Sequence, residues 1–433
     1  MSDSPPSQPA SPPRFQLFAS TAPGLESIAA GELKTMGARG RQEIGGVAFG
    51  GDFDRLYQAN VWLRTASRVV VRLGRFHAST FYELERRAKK LPWEEFLPAS
   101  GRVRLRVTCR KSRLYHSDAV AERILSVISK STSRLIEASD EGHNDGGAED
   151  ADGAENAEEN ENEGTESRDE RETSQLFIVR IVHDEVEISA DSSGALLHRR
   201  GYRQEIAKAP LRETLAAAMI LASGWKRGGP LLDPMCGSGT IPIEAALIAR
   251  GIAPGLQRDF QFMTWPTFDQ NLWNEALEKA RGSVTPAMES IRGSDRDAGA
   301  IQAASRNAER AGVADTIRFS VEAVSASIAE LEQVPNGAGW ILTNPPYGIR
   351  MGESDDLRNL YARLGTALKT KRGWRIGILT SDTALVRQTR LPLFPRVNTR
   401  NGGIPVTFLV SEKPGKAPSL PENLGVGGGI VDD

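Results

Sequence analysis

The chain has 433 residues, 39% hydrophobic and 25% charged, with two cysteines, five histidines and a formal net charge of −2. That length suffices for two or three domains with cores of their own, and the ordinary composition points to a globular protein with no apolar run of the ~18 residues a membrane helix needs. The Pro/Ser-rich start lacks a secretory signal, Cys109 and Cys236 build no disulfide framework, and the histidines lack metal-ligand spacing, so the expectation is a reducing cytoplasm, no membrane and no metal.

Residues 1–14 read as a disordered tail. From Phe15 a small α+β unit follows: strand Phe15–Ser20, helix Leu25–Met36, strand Gly45–Phe49, short helix Phe53–Ala59 and strand Val69–Phe76. A second unit runs over 78–192. It holds helix Phe81–Lys90, strand Val103–Cys109, helix Ala119–Leu135 and a hairpin of Leu176–His183 and Glu185–Ala190. In strand Val103–Cys109 the apolar Val103, Leu105 and Val107 alternate with Arg102, Arg104 and Arg106. After it Arg110, Lys111, Arg113, Tyr115 and His116 mix charge with aromatic rings, a pattern suited to RNA.

Residues 139–174 carry 15 acids and two arginines, leaving 52 basic against 41 acidic residues in the rest of the chain. The folded part is therefore basic, which suits a polyanionic partner. The acidic run is too polar to fold and is expected to loop out. A second possibility is that it shields the basic surface when RNA is absent; unchanged RNA affinity after its deletion would dispose of that idea.

A larger domain occupies 193–414, followed by a loose tail over 415–433. It opens with L-H-R-R-G-Y-R (Leu197–Arg203), whose Arg199, Arg200, Tyr202 and Arg203 are read as RNA contacts. Pro210 is expected to start a helix with Leu211, Leu215, Ala218 and Ala222 on one face. Then strands and helices alternate: strands at Pro230–Asp233, Ser290–Ser294, Ile317–Val321, Trp340–Thr343 and Arg375–Thr380, with helices between. A hairpin around Asn401-Gly402-Gly403 closes the series. This alternation predicts a doubly wound α/β sheet with an antiparallel edge.

Two stretches carry the chemistry. Leu231–Thr240, L-L-D-P-M-C-G-S-G-T, runs from a strand into a glycine-rich turn and a helix. It lacks the G-K-[ST] of a nucleotide-hydrolysing loop and the third glycine of a dinucleotide site. The next strand ends in G-S-D-R-D, where Asp295 can accept from ribose hydroxyls. Asp297 is better placed to cap the following helix. The second stretch, N-P-P-Y-G (Asn344–Gly348), also follows a strand. An amine on a nucleobase is a poor nucleophile because its lone pair is delocalised into the ring. The oxygen of Asn344 and the carbonyl of Pro345 can accept its hydrogens, Pro345 and Pro346 stiffen the turn, Tyr347 can stack on an extruded base, and Gly348 gives clearance.

Asp233–Thr240, Gly293–Asp297 and N-P-P-Y-G together resemble a class I S-adenosylmethionine-dependent methyltransferase acting on an exocyclic amine. With Leu197–Arg203, Ala209-Pro210-Leu211 and F-x-F-x-x-W at Phe260–Trp265, the chain is similar to the THUMP-containing RNA guanine-N2 methyltransferases, particularly the bacterial 23S rRNA enzymes. The resemblance covers about Phe15–Pro414. It implies a ferredoxin-like segment over 15–77, a THUMP domain over 78–192 that grips RNA (rRNA, or tRNA), and a Rossmann-like methyltransferase domain. It also implies that Asp233, Met235, Cys236, Gly237, Gly239 and Thr240 surround the methionine part of S-adenosylmethionine, Asp295 and Arg296 its ribose side, and Asn344–Tyr347 the guanine, with Asn344 also against the cofactor. The acid such families place near the adenine amine is absent: Ala323 stands at its position, and Glu322 is the neighbour that could substitute. Phe262, Trp265 and Trp273 are expected in plain core, with the cofactor side as the alternative. The competing readings are a tRNA guanine-N2 enzyme, a nucleic-acid adenine-N6 enzyme, which N-P-P-Y would also serve, and a non-catalytic RNA-binding factor.

Overall fold

In a computed structural model, residues 14–134, 136–138, 174–204, 211–286, 290–335, 339–347 and 354–411 are described. The acidic run up to residue 173, Ala209 and Pro210, Gly348, and the tails at 1–13 and 412–433 lie outside them.

The first sheet starts from β1 (Phe15–Thr21), β2 (Gly40–Glu43), β3 (Gly46–Gly51) and β4 (Ala66–His77). Their order is β2-β3-β1-β4 and every neighbour is antiparallel. With helices Glu26–Thr35 and Phe53–Trp62 as the two crossovers, this is the ferredoxin-like split βαβ arrangement. β2 escapes a sequence reading because its residues are nearly all exposed, which leaves no alternation of apolar side chains.

β4 is 12 residues long and serves two units. Residues 66–72 pair with β1, and from Val70 to His77, across an irregularity at Arg72/Gly74, the strand pairs with β8 (Glu185–Asp191). Beyond β8 come β7 (Gln175–Val182), β5 (Arg102–Arg110) and the two-residue β6 (Glu137–Ala138), giving one eight-stranded sheet. The hairpin joining β7 to β8 turns at His183 and Asp184, both at positive φ (51° and 63°), the two-residue geometry that matches strand twist. The expected split of β5 into an apolar and an arginine face holds only in part. Arg104 is buried, and its Nε donates to Ser174 Oγ at 2.8 Å.

The second sheet comprises β9 (Leu231–Asp233), β10 (Ile291–Asp295), β11 (Ile317–Val321), β12 (Gly339–Thr343), β13 (Trp374–Thr380), β14 (Phe394–Asn401) and β15 (Ile404–Val410), in the order β11-β10-β9-β12-β13-β15-β14. The first five are parallel, and β15 runs antiparallel to β13. This is the doubly wound sheet with an antiparallel edge, and its strand order reverses direction between β9 and β12. The helix expected from Pro210 covers Glu213–Ser223 and is buried on every side, not on one face. Leu25 of the ferredoxin-like unit joins the same apolar cluster, so the helix has no free face.

The two sheets are tied by a segment between β9 and β10. Phe260, Phe262, Trp265 and Trp273 join the apolar core of the first sheet. Tyr57 stacks on Phe262 at 4.5 Å, and Trp265 Nε1 donates to Gln175 Oε1 at 2.6 Å. The aromatic run is thus core, on the side of the N-terminal units. Helix Gln270–Gly282 completes this junction. No helix among the described residues is long and apolar enough to cross a membrane.

Candidate active site

β9, β10, β11 and β12 are parallel neighbours, so the loops after them share one edge of the sheet. Ligands of open α/β sheets bind at this carboxyl edge where the strand order reverses. The glycine loop follows β9 and Asn344–Tyr347 follows β12, so the two stretches flank that reversal.

The glycine loop is built by its own backbone. Asp233, at the end of β9, is buried and accepts from the Met235 amide at 3.1 Å. The Cys236 amide donates to the Ser294 carbonyl at 3.0 Å, and the Gly237 amide to Asp295 Oδ2 at 3.0 Å. These bonds pin the loop to the end of β10. Gly237 and Gly239 both have positive φ (53° and 86°) but differ in surroundings. A Cβ on Gly237 would meet nothing within 4 Å, which leaves that side open for a ligand. A Cβ on Gly239 would come within 3.0 Å of the Ala304 side chain, so this glycine serves the packing of helix Thr240–Ala249 against helix Ala298–Arg310. Thr240 is buried in the first turn of its helix.

Asp295 is half-buried. Besides Gly237 it accepts from the Asp297 amide at 3.0 Å through Oδ1. Asp297 caps its helix by accepting from the amides of Gly299 and Ala300, and Arg296 beside it is exposed. The Glu322 amide donates to the Asp295 carbonyl at 2.9 Å, which brings the end of β11 against the same edge. Ala323 is exposed and precedes helix Val324–Ala329.

After β12, Asn344 and Tyr347 are half-buried, Pro345 is buried and Pro346 exposed. Tyr361 donates its hydroxyl to the Pro346 carbonyl at 3.4 Å from helix Ser354–Leu368. Burial pushes the Tyr361 phenol up to about 12, so it stays a donor.

Among the described residues, four side-chain oxygens here are buried without a hydrogen-bond partner: Ser294 Oγ, Glu322 Oε2, Thr343 Oγ1 and Asn344 Oδ1. Such groups cost about 1–3 kcal/mol each when left unpaired. Four of them along one sheet edge, with the open side of Gly237, fit a nucleoside cofactor and a hydrogen-bond donor on the substrate. Burial raises the Asp233 carboxyl to about 7, opposed by the Met235 amide and reinforced by the Asp295 charge. Burial, then the nearby Asp233 and Asp295 charges, hold the Cys236 thiol well above its usual range, so it is no thiolate nucleophile.

The residues read as RNA contacts divide. Arg110, Lys111, Arg113, Tyr115 and His116 are all exposed at the end of β5, with the Tyr115 and His116 rings 4.0 Å apart. Arg199 is exposed as well. Arg200 and Tyr202 do not face solvent, which corrects that reading. Arg200 is 4% exposed and bonds the carbonyls of Leu197 and Arg64; its Nε lies 3.6 Å from Glu244. Tyr202 is 2% exposed and donates to Glu244 Oε1 at 3.1 Å. Arg203 pairs with the buried Glu213 at 3.0 Å and bonds the Leu211 carbonyl. Basic and aromatic letters signalled RNA, but here they tie elements together. Glu244, Tyr361 and Asn401 were missed because no local pattern marks them.

Known proteins resemble the chain over most of its length. Residues 200–409 match the family described as RMKL-like, methyltransferase domain, and residues 16–70 match the RlmL ferredoxin-like domain. The chain is 34% identical to the "Putative RNA methyltransferase slr0064" of Synechocystis sp. over 91% of its own length and 96% of the relative's. It is also 34% identical to the "Ribosomal RNA large subunit methyltransferase K/L" of Syntrophotalea carbinolica, covering 91% of this chain and 53% of that one, so it spans about half of that relative's length. The crystal structure of SMU.472, "a putative methyltransferase complexed with SAH", superposes with a TM-score of 0.74 at 27% identity, over 93% of this chain and 99% of that one. The chain belongs to the RMKL-like family of S-adenosylmethionine-dependent RNA methyltransferases.

Proposed function

We propose that the chain methylates the exocyclic N2 amine of a guanine in 23S rRNA, in the cytoplasm. The observation that carries this reading is Asn344 Oδ1, a buried acceptor without a partner among the described residues, across the strand reversal from the glycine loop. S-adenosylmethionine, when bound, supplies an electrophilic methyl group. Asn344 Oδ1 and the Pro345 carbonyl accept the two amine hydrogens and localise the nitrogen lone pair. Tyr347 stacks on the base. No strong base is needed, because the alkylated amine loses its extra proton readily. The basic and aromatic cluster after β5, on a THUMP domain over 78–192, holds the RNA together with Arg199. The ribosomal relative supports the choice of rRNA. Nucleoside mapping of rRNA and tRNA from a deletion strain tests the reading, with loss of N2-methylguanosine from 23S rRNA expected. Loss from tRNA alone, or loss of N6-methyladenosine, would replace it.

In the cofactor site, we assign Asp233, Met235, Cys236, Gly237 and Thr240 to the methionine end, Asp295 and Arg296 to the ribose side, and Glu322 to the adenine amine. Glu322 takes the role that Ala323 cannot fill, its Oε2 being buried without a partner among the described residues. The Asp233 carboxyl sits at about 7 against 3.8 in the unfolded chain. The folded state therefore holds the extra proton between about pH 4 and 7, and stability falls as pH rises through that window, by up to about 4 kcal/mol. A cationic amine beside Asp233 favours the ionised form, so cofactor affinity should rise up to about pH 7 and then level off. Calorimetry is expected to show affinity falling by up to about tenfold per pH unit below 7. Asp233→Asn should flatten that profile, and Glu322→Ala should weaken binding without changing its slope. Affinity independent of pH across this range would remove Asp233 from the methionine end.

A further inference from the structure

We infer that Asn401, on the edge hairpin of the second sheet, is a positioning residue that sets the Tyr347 ring for the substrate base. The inference rests on Tyr347 stacking against that base, as proposed above. Asn401 ends β14 at a turn whose two central residues, Gly402 and Gly403, have φ of 53° and 85°. Side chains at such hairpin tips are usually exposed, yet Asn401 is 7% exposed. Its Nδ2 donates to the Tyr347 hydroxyl at 3.4 Å. Its Oδ1 accepts from the Arg212 amide at 3.4 Å, just ahead of the fully buried helix Glu213–Ser223. One side of the amide is therefore anchored to a rigid element, while the other holds a phenol 54 residues away in sequence. The two bonds also fix which way round the amide sits.

The geometry explains why Tyr347 has a hydroxyl at all. Stacking needs only a ring, and the hydroxyl supplies the point at which the ring is oriented. The Tyr361 bond to the Pro346 carbonyl holds the same loop from the opposite element, so backbone and side chain are fixed independently. Burial raises the Tyr347 phenol, and the Asn401 bond opposes the rise, as expected of an amide N–H donating to that oxygen.

The test uses the full chain, tritiated S-adenosylmethionine and rRNA from a deletion strain. Asn401→Leu and Asn401→Ala should lower RNA-dependent kcat by about 5–10-fold, the worth of one net hydrogen bond, with cofactor affinity by calorimetry unchanged. Tyr347→Phe, which keeps the ring and loses the bond, should show the same loss. Adding Asn401→Leu to Tyr347→Phe should cost nothing further in kcat, because the bond to the Tyr347 hydroxyl is already gone; loss of the Arg212 contact should appear only in stability. Normal turnover in the Asn401 variants alongside an inactive Tyr347→Ala would overturn the inference and leave base stacking intact. Additive losses would also overturn it. A fully active Tyr347→Ala would instead remove the stacking role on which it rests.

Discussion

Asn344→Ala is expected to lower methyl transfer to RNA by about 10²–10³-fold, the usual loss when one preorganised polar group is removed from a site of developing charge. Cofactor affinity should largely survive, because the glycine loop is held by Ser294 and Asp295 and not by Asn344. The stability effect should have the opposite sign. Asn344 Oδ1 is buried and has no partner among the described residues, so deleting it relieves a penalty of about 1–3 kcal/mol. The variant should therefore unfold no earlier than the parent, and later if the alanine packs well. Loss of rate with a gain of stability is the pattern of a site that trades one for the other. Asn344→Asp keeps an acceptor but adds a charge in a half-buried place, and intermediate rates are expected. Single-turnover assays with rRNA, calorimetry and denaturant melts read the three quantities. A normal rate in Asn344→Ala would end the assigned role, whatever the stability.

Much of this site was legible because its signals are local. A strand, an acid and two glycines at fixed spacing describe one turn, and N-P-P-Y describes another. The alternation of strands and helices placed both at the same sheet edge. The failures came where long-range packing decides the environment. Arg200 and Tyr202 have the letters of an RNA contact, and only the fold shows the Leu197 and Arg64 carbonyls and the Glu244 carboxylate waiting for them. The aromatic run at Phe260–Trp265 is core, but the core of the N-terminal units and not of its own sheet. β2 was invisible because its side chains stay in water. Asn401 was legible only as a turn residue, since its two partners come from distant stretches.

Arg200→Ala is expected to destabilise the chain by about 3–5 kcal/mol, the cost of stranding one member of a buried ion pair, against total stabilities of about 5–15 kcal/mol. The reason lies in what Arg200 connects. Glu32 on helix Glu26–Thr35 accepts from the Arg64 amide at 2.8 Å and from Thr65. Arg64 Nη2 reaches the Ile252 carbonyl at 2.7 Å, past the helix that follows the glycine loop. Arg200 bonds the Arg64 carbonyl and faces Glu244, one turn inside that same helix. Burial pulls Arg64 down to about 10 and pushes Glu32 up, the strain of charges held away from water. In Arg200→Ala, Glu244 is left fully buried with the Tyr202 hydroxyl still donating to it, and burial already drives the Tyr202 phenol well up. Replacing the pair together, as Arg200→Met with Glu244→Leu, should restore most of the lost stability, since no charge is then stranded. RNA affinity and its salt slope should match the parent in the folded fraction, because a buried arginine neutralises no phosphate. Denaturant midpoints for the single and double variants decide the matter. A cost below about 1 kcal/mol for Arg200→Ala, with a shallower salt slope, would return the residue to the RNA surface that its sequence first suggested.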